Sequence, residues 1–151
     1  MDMHEIKQKW DKYTDGWFGV IIYLFLGFMI AYGVNALLGY GLHTITPVVA
    51  VFSDSMDPTF YKGDMVIVMG AGNYKVGDIV VFDSPGTAYP IIHRVNQVRG
   101  TGIISKGDNN PTTDEGRWGV IPFSKIYGKA VMKIPMLGWV KILFVQFTGL
   151  G

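Results

Sequence analysis

Cysteine is absent from the 151-residue sequence, and only three histidines occur in it. The absence of cysteine excludes disulfide bonds, thiol catalysis and cysteine-based zinc sites. Three scattered histidines provide little for a metal site, so we expect neither a metal nor another cofactor. Charged residues are also scarce, at 17% of the chain, against about 25% in soluble domains. The formal net charge of +1 gives no electrostatic footprint for nucleic acid, and we expect no such partner.

The shortage of charge is local. Aspartate, glutamate, lysine and arginine are all missing between Asp15 and Asp54, and residues 17–42 within that interval form an apolar run. This run is longer than the roughly 20 residues that cross a bilayer core. A cleaved signal peptide, for which Ala36 and Gly39 offer small residues, has a shorter apolar region. A buried core helix would show a polar face. The sequence therefore predicts a transmembrane helix over 17–42, flanked by aromatic residues typical of membrane interfaces: Trp10, Tyr13, Trp17 and Tyr40.

The lysines around this run predict its orientation. Lys7, Lys9 and Lys12 precede it, whereas the first lysine or arginine after it is Lys62. Positive charge accumulates on the cytoplasmic side of membrane spans. We therefore expect residues 1–16 to be a cytoplasmic segment and the remainder to lie on the outer face of the cell membrane, or in the lumen of the endoplasmic reticulum if the source is eukaryotic.

From Thr44 onward the sequence changes to short β-type runs separated by Gly, Asp, Asn and Pro turns. This pattern predicts a mainly β domain over 43–133, an antiparallel sandwich or partly closed barrel. The candidate strands are 48–52, 65–69, 78–82, 91–95, 102–105 and 129–134.

The final segment, 134–151, is apolar apart from Lys141, Gln146 and Thr148. Apolar residues recur in it at helical spacing: Leu137, Val140, Phe144 and Phe147. A short helix resting on the membrane, a truncated second span and a helix packed in the core all fit this pattern.

Three polar segments interrupt the β pattern. Residues 53–59 (Ser-Asp-Ser-Met-Asp-Pro-Thr) follow an apolar strand, His93 lies inside a β run, and residues 106–114 contain Asp108 and Asp114. Each has an ordinary interpretation, as a turn, a solvent-facing ring or a cluster of Asx turns. Together they supply a hydroxyl nucleophile, a titratable base and a carboxylate to orient it, which are the roles that a serine hydrolase requires.

Taken in order, these segments resemble the motif boxes of the type I signal peptidases. The boxes are residues 53–59, residues 77–82 (Gly-Asp-Ile-Val-Val-Phe), residues 92–95 (Ile-His-Arg-Val) and residues 106–110 (Lys-Gly-Asp-Asn-Asn). Bacterial members have a lysine where this chain has His93. The sequence is therefore similar to the archaeal and endoplasmic-reticulum branch, and the short interval between His93 and Asp108 favours an archaeal type.

The resemblance implies a role for each site residue. Ser55 would be the nucleophile, His93 the general base, and Asp114, rather than Asp108, the carboxylate that orients the imidazole. Asp108 would support the site through an ion pair with Arg94. The reasoning from the sequence leaves open which aspartate contacts His93.

The resemblance also implies how substrate would bind. The Ser55 backbone N–H and the Ser53 hydroxyl would form an oxyanion hole. The cleft would admit only small side chains one and three residues before the cut, the Ala-x-Ala pattern of signal peptides, and substrate would pair as an added strand. The expected partners are signal peptides of preproteins, the lipid bilayer and, as a further candidate, the translocation machinery. The predicted substrate-binding residues are Val49, Val51, Phe52 and Met56.

Two alternatives remain. One is a related serine protease, such as a self-cleaving repressor-type domain, but the apolar run and the lack of a DNA-binding module argue against it. The other is a non-catalytic, membrane-anchored β module that binds secreted peptides. The presence of Ser55, His93 and Asp114 argues against that alternative.

Overall fold

The N-terminal part of the chain is helical. The computed structural model describes residues 2–14, 16–87 and 89–149. Asp15 lies outside the described residues, and so do the side chains of residues 9–14. These side chains include two of the flanking lysines and two of the flanking aromatic residues predicted above: Lys9, Lys12, Trp10 and Tyr13. Helix α1 covers Met3–Thr14 and helix α2 covers Gly16–Gly41. The chain divides into two units between Leu38 and Gly39.

Helix α2 coincides with the span predicted over 17–42. Its 26 residues include no proline and no charged residue, and an 18-residue window has a mean hydropathy of 2.1. None of that window is buried. A helix of this length extends about 39 Å, more than the bilayer core of about 30 Å. By length and composition, α2 is thus a candidate membrane span.

The second unit contains one antiparallel sheet. Its strands are β1 (Val48–Ala50), β2 (Met65–Met69), β3 (Ile79–Phe82), β4 (Ile91–Arg99), β5 (Gly102–Lys106), β6 (Ile121–Pro122) and β7 (Ile126–Ile134). Their spatial order is β1-β2-β7-β3-β4-β5-β6, and every neighbouring pair is antiparallel. This seven-stranded half-barrel confirms the mainly β fold class. Each of the six predicted strands overlaps an observed one.

The differences from the predicted strands have local causes. Strand β4 continues beyond the predicted end through mostly polar residues and keeps pairing with β5, with an irregularity in register between Val95 and Gln97. Strand β6 was not predicted, since two residues are too few to produce an alternating pattern.

The sheet is covered on both faces. Val80 and Val81 are adjacent in β3 but belong to different apolar clusters, as expected because successive strand side chains point to opposite faces. One cluster contains Val49, Val51, Met56, Phe60, Val66, Val68, Val81 and Ile92. The other contains Val80, Phe82, Val95, Ile103, Ile121 and Ile126. His93 pairs with Val80 across β3 and β4, which places it at the second cluster.

Two α-helices and a 3₁₀ helix over Phe123–Lys125 complete the second unit. Helix α3 is a single turn over Glu115–Trp118, and helix α4 covers Gly138–Thr148. Helix α4 contacts β1, with Ile142 and Val145 buried. Its other side is exposed and apolar, with Phe144 and Phe147 57% and 87% exposed. Eleven residues extend about 16 Å, which is half of a bilayer core.

Candidate active site

The predicted nucleophile lies on a turn that is anchored in the core. After β1 the chain leaves the sheet in a series of turns, stabilised by hydrogen bonds from the Asp57 N–H to the Asp54 carbonyl (3.2 Å) and from the Phe60 N–H to the Met56 carbonyl (2.9 Å). The Met56 side chain is fully buried, whereas Ser55 next to it is partly exposed. The buried Met56 therefore anchors the turn, and the Ser55 hydroxyl beside it is held near the surface.

The loop after β5 braces this turn. The Asn109 backbone N–H donates to the Ser55 carbonyl at 2.9 Å, and the Asn109 side-chain amide donates to the Asp54 carbonyl at 3.1 Å. A Cβ on Gly107 would lie 2.6 Å from the Ser55 carbonyl oxygen, so the close approach requires glycine. The loop and the turn are thus packed together, although some 50 residues separate them in sequence.

Ser55, His93 and Asp114 form a continuous hydrogen-bonded series. The Ser55 Oγ lies 3.0 Å from His93 Nε2, and His93 Nδ1 lies 2.6 Å from Asp114 Oδ2. His93 is 5% exposed and Asp114 is 6% exposed. An ionised carboxylate only accepts hydrogen bonds. Nδ1 therefore carries the proton in the neutral ring, and the lone pair of Nε2 faces the serine hydroxyl.

Two aromatic rings hold the imidazole in place. The ring centroids of Phe82 and Trp118 lie 6.4 and 6.0 Å from that of His93, and 5.7 Å from each other. Such tilted and edge-on arrangements are favourable for aromatic pairs. A role for Trp118 was not predicted from the sequence. It lies four residues after Asp114, on the one-turn helix α3.

The second aspartate binds a different partner. Arg94 donates from Nε to Asp108 Oδ1 at 2.8 Å and from Nη2 to Oδ2 at 2.7 Å. Thr59 also donates to Asp108 Oδ2, at 2.5 Å. The hydrogen bonds from Arg94 are the largest cause that lowers the pKa of Asp108 below its ordinary value; partial burial opposes them, and the Thr59 bond adds to them. The ion pair expected between Arg94 and Asp108 is thus present, and of the two aspartates it is Asp114 that contacts His93.

Ser53 lies beside the predicted nucleophile. Its Oγ is 3.2 Å from the Ser55 Oγ, and both serines line the same cleft. This position makes the Ser53 hydroxyl a candidate donor to a negative oxygen that develops next to Ser55.

The cleft has a volume of about 490 Å³ and mostly apolar walls. Phe52 and Tyr89 stack face to face across one wall, with centroids 4.9 Å apart. Of the four predicted substrate-binding residues, Phe52 lines the cleft and Val49 lines a smaller adjoining pocket of about 120 Å³. Val51 and Met56 are buried in the first apolar cluster, and Ala50 is the residue of β1 that reaches the cleft surface.

Four residues that contact the site were not predicted individually from the sequence: Thr59, Ser105, Asn109 and Trp118. Thr59 and Asn109 lie inside the motif boxes over residues 53–59 and 106–110, and this position was the only indication in the sequence that they belong to the site. Ser105 and Trp118 lie outside the boxes, where a single serine or tryptophan forms no distinctive pattern. Among the described residues, no three His, Cys, Asp or Glu side chains come together as a metal site would require.

Comparison with known proteins reveals clear relatives. The sequence model of the family described as "Signal peptidase, peptidase S26" matches residues 21–109. The protein named signal peptidase complex catalytic subunit SEC11 of Colletotrichum graminicola is 34% identical over 116 residues, covering 70% of this chain and 67% of the relative. The protein of the same name from Debaryomyces hansenii is 33% identical over 112 residues, covering 67% of each chain. The Dictyostelium discoideum protein is 36% identical over 117 residues, covering 70% of this chain and 64% of its own length.

Proposed function

This chain belongs to the signal peptidase family, peptidase S26, and is a serine-type signal peptidase; we propose that it removes signal peptides from secretory preproteins with Ser55, His93 and Asp114 as its catalytic residues. The observation that carries the proposal is the unbroken series from Ser55 Oγ through the His93 ring to Asp114 Oδ2, with steps of 3.0 and 2.6 Å. Both distances are within hydrogen-bond reach, so Nε2 can accept the serine proton while Nδ1 donates to the carboxylate.

In the first half of the reaction, Ser55 Oγ attacks the carbonyl carbon of the scissile peptide bond. Its proton passes to His93 Nε2 as the C–O bond forms. Asp114 stabilises the resulting imidazolium through the Nδ1–H. The imidazolium then gives the same proton to the leaving amide nitrogen, the C–N bond breaks, and the mature protein leaves with a free amine while the signal peptide stays esterified to Ser55.

In the second half, a water molecule attacks the ester. His93 Nε2 accepts one proton from that water, the tetrahedral intermediate collapses, and the proton returns to Ser55 Oγ as the ester bond breaks. The signal peptide leaves with a new carboxyl group, and the enzyme is restored. In both halves the negative oxygen would be stabilised by the Ser55 backbone N–H and the Ser53 hydroxyl.

The substrate would bind as an extended strand. Strand β1 stands at one end of the sheet, and its only strand neighbour among the described residues is β2. A peptide added there would form main-chain hydrogen bonds and place alternate side chains in pockets. The cleft between Ala50, the Phe52–Tyr89 stack and Ser55 would then select small side chains at the Ala-x-Ala positions.

The membrane would contribute to specificity. Helix α2 would span the bilayer with the N-terminus in the cytoplasm, and the catalytic domain would lie on the outer or lumenal face. The exposed apolar side of α4 would rest on the membrane. The names of the relatives describe a catalytic subunit of a signal peptidase complex, so we propose that this chain also works with partner subunits, and the translocation machinery is a further candidate.

The deciding experiment compares the full chain, purified in detergent, with its Ser55→Ala variant on a preprotein substrate. The wild type should release a mature protein that begins directly after an Ala-x-Ala sequence, as read by mass spectrometry, and Ser55→Ala should release none. The variant should keep its fold, because Ser55 lies on a surface turn. Processing by Ser55→Ala at the wild-type rate would exclude this mechanism.

A serine-directed acylating inhibitor distinguishes the enzyme from a peptide-binding module. On the proposed mechanism, wild-type protein gains the mass of one acyl group and Ser55→Ala does not. A non-catalytic module would bind the preprotein without cleaving it and would not be acylated.

A further inference from the structure

Ser105 is a fully buried polar residue next to the site. It lies on β5, and its side chain is 0% exposed among apolar neighbours of the sheet. Its hydroxyl donates to Asp114 Oδ2 at 2.6 Å. A buried hydroxyl without a hydrogen-bond partner is costly, so this contact directs the Ser105 side chain towards the carboxylate.

Ser105 holds Asp114 at two points. Besides the side-chain hydrogen bond, the Ser105 backbone carbonyl accepts a hydrogen bond from the Asp114 backbone N–H at 2.8 Å. This backbone hydrogen bond joins the end of the loop that carries Asp114 to strand β5, where the loop begins. Because β5 pairs with β4, the strand that carries His93, this closure fixes Asp114 relative to the imidazole.

The hydroxyl and the imidazole share one acceptor. Both Ser105 Oγ and His93 Nδ1 lie 2.6 Å from Asp114 Oδ2. Two donors that approach one oxygen from different directions restrict rotation of the carboxylate more than either would alone. Hydrogen bonds to an ionised acceptor are also among the stronger ones in proteins.

We propose that Ser105 is a positioning residue for the reaction, which keeps the Asp114 carboxylate aligned with His93 Nδ1. The inference rests on the proposed function, since it assigns Ser105 a role that is exerted through Asp114. Ser105 does not touch the reacting atoms. Its contribution lies in the orientation of the base and in the stability of the imidazolium that forms during the reaction.

The test is a double-mutant cycle between Ser105 and Asp114 in the full chain. Ser105→Ala removes one hydrogen bond to a charged group and should lower kcat by about ten- to a hundredfold, with KM changed by less than about twofold. In an Asp114→Ala background the same change should lower single-turnover cleavage by less than about twofold, because residues that act as a unit are not additive.

Ser84→Ala is a matched control. Ser84 is also a buried serine, 4% exposed, but its Oγ has no hydrogen-bond partner in the part of the chain that the structure describes. Its replacement should leave kcat within about twofold of wild type. The Ser105→Thr variant keeps the hydroxyl and should retain more activity than Ser105→Ala.

Three results would overturn the inference: wild-type kcat in Ser105→Ala, an equal loss with and without Asp114, or an equal loss in Ser84→Ala. Failure of the proposed function is recognised separately, because Ser55→Ala would then cleave as fast as wild type. A tenfold or larger loss in Ser105→Ala that disappears in the Asp114→Ala background, with Ser55→Ala inactive, supports both.

Discussion

His93 and Arg94 follow one another in β4 and bind different aspartates of the same loop. His93 contacts Asp114, and Arg94 binds Asp108 through two parallel hydrogen bonds. Successive residues of a strand point to opposite faces of the sheet, so the loop sends one carboxylate to each face. Arg94 balances the charge of Asp108, and the carboxylate of Asp114 remains directed at the imidazole.

We expect His93→Ala to abolish preprotein cleavage, because Ser55 then has no base within hydrogen-bond reach. Lys62→Ala and Lys106→Ala should retain most activity, since Lys62 lies beside the Trp139 ring and Lys106 pairs with Arg94 in the strand register rather than with Ser55. Initial rates of processing by the three purified variants check this prediction.

The variant His93→Lys should not restore activity. The pocket presents Asp114 and two aromatic rings to the side chain, and a carboxylate neighbour favours the charged ammonium form, which cannot accept a proton. An inactive Lys106→Ala with a native fold, beside an active His93→Ala, would instead indicate a serine–lysine mechanism.

The sequence predicted which residues form the site better than it predicted which of them contact one another. The motif boxes identified Ser55, His93 and both aspartates, because these residues lie in short segments of distinctive composition. Which aspartate meets His93 depends on the path of the loop after β5. Asp108 and Asp114 are only six residues apart, and no local pattern distinguishes them.

For the fold too, the individual strands and helix α2 could be predicted from the sequence, but their arrangement could not. Alternating apolar runs predicted six of the strands, and the charge-free run predicted α2. The strand order was not predictable from these runs, because β7 lies between β2 and β3 and its pairing depends on distant residues. Contacts such as that of Ser105 with Asp114 follow from this three-dimensional arrangement and from burial, neither of which the residue types alone convey.

Replacement of Ser53 tests the oxyanion hole. Removal of one preorganised donor from such a site costs about 10²–10³ in turnover, so Ser53→Ala should lower kcat by that order with little change in KM. Ser53→Thr keeps the hydroxyl and should lose less. Steady-state kinetics on a peptide substrate check the prediction, and an unchanged kcat in Ser53→Ala would remove Ser53 from this role.

We expect the size of the cleft to determine which substrates are processed. A substrate with Leu or Phe in place of Ala directly before the cut should be processed at least about tenfold more slowly, because the added volume meets the walls formed by Ala50 and the Phe52–Tyr89 stack. A substrate changed at the residue after the cut serves as the control. Equal processing of the Leu and Ala substrates would indicate a different specificity.

The Arg94–Asp108 ion pair should make stability depend on pH in the acid range. The hydrogen bonds from Arg94 lower the pKa of Asp108 in the folded chain. The folded state therefore holds this proton less tightly than the unfolded state, in which an aspartate titrates near 3.9. The sign follows: the ionised pair stabilises the fold above about pH 4, and that contribution is lost as the pH falls through the lower folded-state pKa.

Asp108→Asn should thus lower the free energy of unfolding by about 1–3 kcal/mol near neutral pH, and the difference from wild type should shrink below about pH 4. Denaturant unfolding of the full chain in detergent, followed by tryptophan fluorescence, measures both quantities. Asp83→Asn is the matched control, because the Asp83–Lys125 pair is 3.6 Å long and about half exposed, and such surface pairs contribute little. A difference between Asp108→Asn and wild type that stays constant from neutral to acid pH would contradict the prediction, since the variant would then have lost packing rather than a titrating ion pair.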